Sequence, residues 1–289
     1  MKAPLLSLLV AAFGVTACTN VALSPSVDFH DHIGLQLWSV RAQLKENIPA
    51  ALDLVKSYGI TEVETFGVPG ITVPQLAQEL RARGLRATSG HMGYDALKKD
   101  IVGAIADAKT LGLKMIIIPS LPHRGRFTED DARRVATDFN KFGEACKAAG
   151  LGFGYHPHGF EFTPTAAGNG EVVFDVLARE TKPEFVSYEM DVFWAFHAGQ
   201  DPVALLNKYP NRWVALHVKD MRKGAVRGLS TGSAAPIDNV TVGVGLIDWP
   251  NVLRTARKLG IQHYFIEDET PTPLQCIPDS LKYLRALKL

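Results

Sequence analysis

Ionisable side chains gather at or near the ends of apolar runs in this sequence, where a fold of buried strands would bring them together. They are Glu64, His91, His156, His158, Glu161, Asp191, His217, Lys219, Glu267 and Glu269. Carboxylates that share a cleft repel one another, and a divalent cation removes that repulsion. A mixture of carboxylate and imidazole ligands is typical of Mn²⁺, Zn²⁺, Co²⁺ or Fe²⁺ and not of calcium. The residue types therefore predict one bound divalent metal ion from that group.

Two histidines and one lysine in this set could also carry a proton or polarise an oxygen. His156 and His158 would point to the same side if the strand that contains them continues through Pro157. Each could be a metal ligand or an acid–base group, because imidazole titrates near neutral pH. Lys219 could polarise a substrate oxygen or form a surface salt bridge with Asp220. We predict His156, His158 and Lys219 as the catalytic residues.

Eight strand–helix pairs are predicted to position these residues. Apolar runs alternate with helical periodicity, and the helices include one over 94–111 and a last one near 278–286. Five glycines each close a helix directly before a strand, as a left-handed cap would. The strands are predicted at 33–37, 62–66, 86–91, 115–119, 152–156, 186–191, 213–218 and 263–267. Eight alternating pairs favour an α/β fold of the closed (β/α)8 TIM-barrel type over an open doubly wound sheet.

Composition and motifs narrow the class of protein. The chain has 46% hydrophobic and 21% charged residues, which is ordinary for a globular protein. Its 31 basic and 30 acidic residues give a formal net charge of +1, so no electrostatic argument favours a nucleic-acid partner. No glycine-rich phosphate motif follows the first strand, which argues against a Rossmann domain.

The longest irregular stretch of the sequence, over 221–244, follows the seventh strand. A long loop at the carboxyl end of a barrel strand is usually a lid or a wall of the substrate site. Disorder is the alternative, and the sequence does not decide between the two.

The N-terminus has the features of a cleaved leader. Lys2 precedes an apolar stretch over 4–15 that is too short to span a bilayer, and small residues then run into Cys18. This resembles a bacterial lipobox, after which the cysteine is acylated. A cytosolic protein with an apolar N-terminal arm is the alternative. We predict a periplasmic lipoprotein, with the outer membrane preferred, that has a signal peptide over 1–17, a tether over 18–31 and a barrel over 32–289.

Eight motifs lie at the predicted strand ends and loops: GLQLWSVR (34–41), SGH (89–91), GYHPHGFEF (154–162), EMDVFW (189–194), AGQDP (198–202), LHVKD (216–220), GVGLIDW (243–249) and FIEDE (265–269). Together they resemble the motifs of the xylose-isomerase-like TIM-barrel superfamily, usually called sugar phosphate isomerase/epimerase. The resemblance covers 33–287. It implies one divalent metal ion, held by acidic residues and a histidine at the ends of strands five to eight.

Matched motif by motif, the resemblance assigns roles to single residues. Asp191, His217 and Glu267 take the ligand positions on strands six, seven and eight. Many relatives carry a glutamate within strand five, whereas this sequence has histidines there; Glu161 is assigned as the fourth ligand, with His156 or His158 as substitutes. Trp194 replaces a histidine of the epimerases, so we expect it to form a sugar-stacking wall. The predicted substrate-binding residues are Gln36, Glu64, His91, Trp194 and Glu269.

The resemblance also implies a reaction. We expect a metal-dependent sugar isomerase or epimerase that removes a proton next to a carbonyl group and forms an enediolate. A periplasmic location and the lack of an arginine cluster favour an unphosphorylated sugar. The alternatives are a 3-keto-glycoside lyase or hydrolase of the same fold and an inactive sugar-binding lipoprotein. Nuclease activity is disfavoured by the neutral charge balance.

Overall fold

Eight parallel strands close into a barrel, which confirms the predicted TIM-barrel fold. The computed structural model describes residues 29–123 and 125–289. The first barrel strand pairs with both the second and the last, and so closes the sheet. In chain order the strands are β1 (Ile33–Gln36), β2 (Glu62–Thr65), β3 (Arg86–His91), β4 (Met115–Ile118), β5 (Gly152–Tyr155), β6 (Ser187–Asp191), β7 (Trp213–Val218), β8 (Asp220–Met221), β9 (Asn239–Val240) and β10 (His263–Ile266), of which β8 and β9 form a separate antiparallel pair.

Helices follow the strands around the outside of the barrel. They are α1 (Arg41–Glu46), α2 (Ile48–Ser57), α3 (Val73–Ala82), α4 (Tyr94–Lys99), α5 (Ile101–Leu111), α6 (Glu129–Ala148), α7 (Val173–Glu180), α8 (Val192–His197), α9 (Pro202–Lys208), α10 (Trp249–Lys258) and α11 (Pro273–Ala286). Within the described residues, no helix is both long enough and apolar enough to cross a membrane.

Two of the predicted helices differ from the structure, and α1 and α8 lie outside all the predicted helices. The helix predicted over 94–111 is broken at Asp100, whose φ of −155° and ψ of 81° are not helical. The Asp100 side chain accepts the backbone N–H of Gly103 at 2.8 Å and so begins α5 as its N-cap. The last helix begins at Pro273 instead of near Pro278, because proline is well suited to a first helical turn.

The inside of the barrel changes in character along its axis. At the middle, the Phe265 ring fills space above Gly34, where an added Cβ would lie 2.7 Å from the ring. At the carboxyl ends of the strands the interior is polar and fully buried, with Gln36, Glu64 and His217 having no exposed surface. Buried polar groups must be hydrogen-bonded or bind a ligand, so this end of the barrel is the place to look for a site.

The N-terminal turn Phe29–His32 is docked on the barrel. Phe29 is 2% exposed, and its ring packs edge-on against Tyr264 at 4.9 Å between centroids. The last residues of the predicted tether over 18–31 are therefore packed against the core. The predicted signal peptide over 1–17 and the lipidation site Cys18 lie outside the described residues.

The long loop between β7 and α10 is fixed to the barrel at both of its ends by Asp220. The Asp220 carboxylate accepts backbone N–H groups from Gly243 at 2.9 Å, Gly245 at 3.1 Å and Ile247 at 3.2 Å. This carboxylate does not pair with Lys219, so the salt bridge considered from the sequence is absent from the structure. The loop passes over the rim of the barrel between these anchored ends.

Candidate metal centre and active site

Four buried side chains meet at the carboxyl ends of the strands. His156 follows β5, Asp191 ends β6, His217 lies in β7 and Glu267 follows β10; each offers one donor atom, and these atoms all lie within 4.8 Å of one another. His156 Nε2 is 3.1 Å from His217 Nδ1 and 3.6 Å from Asp191 Oδ2, and His217 Nδ1 is 3.4 Å from Glu267 Oε2. Ligands bound tetrahedrally at about 2.1 Å from one zinc ion would be about 3.4 Å apart. We call these four residues the donor group.

The hydrogen bonds behind the two histidines fit a metal ion. His156 Nδ1 is 3.2 Å from the carbonyl oxygen of Pro119, which can only accept, so Nδ1 is the donor. His217 Nε2 donates to Glu64 Oε2 at 2.6 Å. The remaining nitrogens, His156 Nε2 and His217 Nδ1, therefore face each other at 3.1 Å with room for a proton or a metal ion between them, and Asp191 Oδ2 is buried without a hydrogen-bond partner. Two imidazoles and two carboxylates are a suitable ligand set for Zn²⁺, Mn²⁺, Co²⁺ or Fe²⁺.

The charges of the donor group favour a cation. Burial alone would lower the pKa of His217, but the charges of Glu189 and Glu267 hold it well above its ordinary value. Burial would raise the pKa of Glu267, but Lys219 and His217 hold it well below its ordinary value. The carboxylates therefore stay ionised, and in the metal-free protein a proton on His217 occupies the position that a metal ion would take.

Three of the predicted substrate-binding residues lie behind His217. Glu64 accepts hydrogen bonds from Gln36 Nε2 and Ser89 Oγ, both at 2.7 Å, in addition to the one from His217. His91 Nε2 lies 3.2 Å from Glu64 Oε2. Burial alone would lower the pKa of His91, but the negative charge of Glu64 outweighs it and raises this pKa to about 9. Gln36, Glu64 and His91 thus orient His217, as outer residues commonly do for a metal ligand.

Glu161, the predicted fourth ligand, lies outside the donor group. Its Oε1 accepts the backbone N–H of His158 at 3.2 Å and a hydrogen bond from the Tyr155 hydroxyl. Burial raises the pKa of Glu161, which favours its neutral form. The strand ends at Tyr155, before the two histidines, so the expected alternation through Pro157 does not hold. His156, one of the two substitutes considered from the sequence, takes the place in the donor group.

His158 has a different setting from His156. Its Nδ1 is buried without a hydrogen-bond partner, and its ring lies 4.7 Å from that of His156 and 5.7 Å from that of Trp194. Burial, followed by the proximity of His156, lowers the pKa of His158 to about 3. The imidazole is therefore neutral at ordinary pH and can exchange hydrogen bonds with a ligand.

Lys219 connects the donor group to a cavity at the barrel mouth. Its Nζ lies 3.3 Å from Glu267 Oε2, forms a hydrogen bond with Glu269 and is about 5 Å from the centres of the Phe193 and Trp194 rings. The cavity has a volume of about 220 Å³ and is lined by Arg41, Phe193, Trp194, Lys219, residues 232–236, Asn239 and Glu269. Trp194 and Glu269, both predicted from the sequence, thus line this cavity together with the loop over 221–244.

Sequence reasoning missed Glu189. This residue has no exposed surface, and its Oε2 is 3.1 Å from His91 Nε2 and 3.2 Å from His217 Nε2, while Oε1 has no hydrogen-bond partner. The available signal was its spacing of two residues from Asp191, which places both side chains on the same face of β6. A second carboxylate next to Glu64 deepens the negative potential around His217.

Comparisons with known proteins agree with this architecture. Residues 52–287 match the model of a family described as xylose isomerase-like TIM barrel. The inosose dehydratase of Mesomycoplasma hyopneumoniae strain J is 25% identical over 206 residues, which are 62% of this chain and 66% of the relative, or just under two thirds of its length. A sugar phosphate isomerase/epimerase structure from Parabacteroides distasonis ATCC 8503 is 27% identical, with a TM-score of 0.73 over 95% of this chain and 98% of that chain. An IolI protein structure with a bound zinc atom shares the fold at 13% identity, with a TM-score of 0.65 over 88% of this chain and 95% of that chain.

Proposed function

Because the chain belongs to the xylose isomerase-like TIM barrel family, we propose that it is a metal-dependent carbohydrate enzyme. Its reaction would begin with removal of a proton from the carbon next to a carbonyl group, and would then isomerise or epimerise the sugar. The observation that supports this proposal is the donor group together with Lys219, a buried residue that contacts Glu267 of the donor group and also lines the cavity. The substrate we propose is an unphosphorylated sugar with a hydroxyl group next to its carbonyl group.

His156, Asp191, His217 and Glu267 would hold the metal ion. A bound divalent cation would supply Lewis-acid polarisation of substrate oxygens and thereby acidify the neighbouring C–H bond. The protein contributes by keeping both carboxylates ionised and both imidazoles in the correct tautomer. The hydrogen bonds from His156 to the Pro119 carbonyl and from His217 to Glu64 fix these tautomers.

Lys219 and Glu269 are the charged pair that faces the substrate cavity. The Lys219 ammonium, 1% exposed, is held by carboxylates and is suited to stabilise negative charge that develops on a substrate oxygen. Glu269 is the one carboxylate that lines the cavity among the described residues. We therefore assign the proton acceptor to Glu269. His158, whose pKa of about 3 makes it a weak base, would position a substrate hydroxyl group.

The proton and the electrons can then be followed through the reaction. Glu269 takes the proton from carbon, and the electron pair of that C–H bond forms the enediolate, whose oxygen Lys219 stabilises. Return of the proton to the former carbonyl carbon, with the proton of the neighbouring hydroxyl group passing to the former carbonyl oxygen, gives isomerisation. Delivery of a proton from water to the opposite face of the original carbon, with release of the Glu269 proton to water, gives epimerisation. The same enediolate could instead expel a hydroxyl group from the β carbon, which leaves as water with the proton held by Glu269.

Metal content and hydrogen exchange test the proposal together. The purified protein, without added metal, is analysed for its elements and incubated in D₂O with common ketoses and 3-keto-glucosides. We expect about one transition-metal ion per chain and deuterium at the carbon beside the carbonyl group. Lys219→Met should keep the metal but exchange about 10²- to 10³-fold more slowly. Failure to take up Mn²⁺ or Zn²⁺ from excess, with no exchange, would overturn the proposal and favour a sugar-binding protein.

Elimination of water is the second candidate reaction. The curated relative described above is named inosose dehydratase, and dehydration shares its first step with isomerisation. Mass spectrometry separates the two outcomes, because an isomerised product has the mass of its substrate and an eliminated product has lost one water. A cyclic ketone with a hydroxyl group on the carbon β to its carbonyl group is the substrate to include for this purpose.

We also propose that the protein is a periplasmic lipoprotein, attached to the membrane through Cys18. The support is the sequence Val15-Thr16-Ala17-Cys18 after an apolar stretch. Labelling of growing cells with a tritiated fatty acid should mark the wild-type protein and not Cys18→Ala. A labelled Cys18→Ala protein, or a wild-type protein without label, would contradict this localisation.

A further inference from the structure

A group of metal-donor side chains that shares no residue with the site described above lies at the opposite end of the barrel. His32 directly precedes β1, Glu62 begins β2 and His263 begins β10. Because β1 lies between β2 and β10 in the barrel, the amino-terminal ends of these strands bring the three side chains together. One donor atom from each residue lies within 4.8 Å of the others.

One imidazole nitrogen of this group has no hydrogen-bond partner. His263 Nδ1 is 2.5 Å from Glu62 Oε1, which also accepts a hydrogen bond from Thr88 Oγ1 at 2.9 Å. His32 Nδ1, on the other side of the group, is buried and has no hydrogen-bond partner. Arg86 Nη2 is 4.0 Å from Glu62 Oε2, and the Arg86 side chain is 67% exposed and can turn into the solvent.

We propose that His32, Glu62 and His263 bind a Zn²⁺ ion that fastens the N-terminal turn to the base of the barrel. Two imidazoles and one carboxylate are a well-established zinc ligand set, and water can complete the coordination. The three ligands come from positions far apart in the sequence, so one ion would tie the turn before β1 to both neighbouring strands. The amino-terminal end of a TIM barrel generally serves stability, and this site therefore has a structural role.

A small movement of the side chains would admit the ion. The 2.5 Å contact between His263 and Glu62 is a direct hydrogen bond, whereas two ligands of one zinc ion lie about 3 Å or more apart. Zinc would replace the proton between them and would also take the free nitrogen of His32. With three protein ligands, the site should bind more weakly than the donor group, which offers four, so it should fill second on titration.

Zinc titration of the metal-free protein tests this site. A chromophoric chelator reports free Zn²⁺, and we expect the wild-type protein to take up two equivalents. His32→Gln and Glu62→Gln should each take up one, whereas the control His123→Gln, which alters an exposed histidine elsewhere, should take up two. The second equivalent should also raise the melting temperature of the wild-type protein and not that of His32→Gln.

Two further results complete the test. Asp191→Asn disrupts the donor group and should retain one equivalent of zinc. The double variant Asp191→Asn/Glu62→Gln should lose this equivalent as well. The two sites are therefore distinguished even if the proposed function fails. Circular dichroism confirms that each variant is folded, and Glu62→Gln can keep the hydrogen bond from Thr88 if the histidine variant is unstable. Wild-type uptake that neither folded His32→Gln nor folded Glu62→Gln reduces would overturn the inference, whatever the total number of equivalents.

Discussion

Replacement of Glu64 by glutamine tests how the barrel prepares His217 for a metal ion. Glu64 Oε2 accepts the Nε2–H of His217 at 2.6 Å, and neither residue has any exposed surface. A hydrogen bond to a charged group of this kind contributes about 1.5–3 kcal/mol. A glutamine at this position would keep the volume of the side chain but lose its charge, and its amide could donate to Nε2 and favour the wrong tautomer. We expect the metal Kd of Glu64→Gln to rise by about 10- to 100-fold.

Competition against a chelator of known affinity at fixed pH measures this change. Glu161→Gln is the matched control, because Glu161 is a fully buried glutamate close to the donor group but not part of it. Its metal Kd should equal that of the wild-type protein. Unchanged affinity in Glu64→Gln would refute the role assigned to the hydrogen bond. A large loss of affinity in Glu161→Gln would instead identify Glu161 as a ligand.

Three other predictions follow from the site. His217→Ala should contain one metal equivalent fewer than the wild-type protein, whereas His158→Ala should keep the wild-type metal content and lose turnover; elemental analysis and the exchange assay separate these effects, and wild-type metal content in both variants would contradict the ligand assignment. Because the carboxylates raise the pKa of His217, metal binding should release a proton and weaken as the pH falls, which calorimetry in buffers of different ionisation enthalpy detects. In the metal-free protein, protonated His91 should stabilise the fold fully below about pH 6.5, and this contribution should disappear as the pH rises through about 9. Urea unfolding of His91→Gln should lack that loss of stability.

The fold could be predicted because its signals are local and repeated. Each strand is a short apolar run and each helix has its own periodicity, so eight pairs in succession specify a barrel. The one long helix predicted over 94–111 is the exception. Its helical pattern continues through Asp100, but the Asp100 side chain caps a new helix there. Pattern alone does not reveal which of two competing local hydrogen bonds a side chain will make.

The donor group was predictable in three of its four positions. The resemblance assigned Asp191, His217 and Glu267, which lie at the end of β6, in β7 and directly after β10. The fifth-strand position was harder because the chain leaves the strand after Tyr155, and Gly159, with a φ of 95°, turns it into the short 3-10 helix Phe160–Phe162. That turn directs Glu161 back toward Tyr155, and no periodicity in the sequence encodes this reversal.

Because Asp220 holds the long loop at its base, the shape of the cavity entrance could evolve independently of the positions of the reacting groups. One carboxylate binds both ends of the loop, through the N–H of Met221 on one side and those of Gly243, Gly245 and Ile247 on the other. The loop is thus a closed arch on a fixed base, and the base adjoins Lys219. Insertions or deletions at the crown of the arch, over 225–235, could reshape the entrance for larger or smaller sugars while the reacting groups below keep their positions.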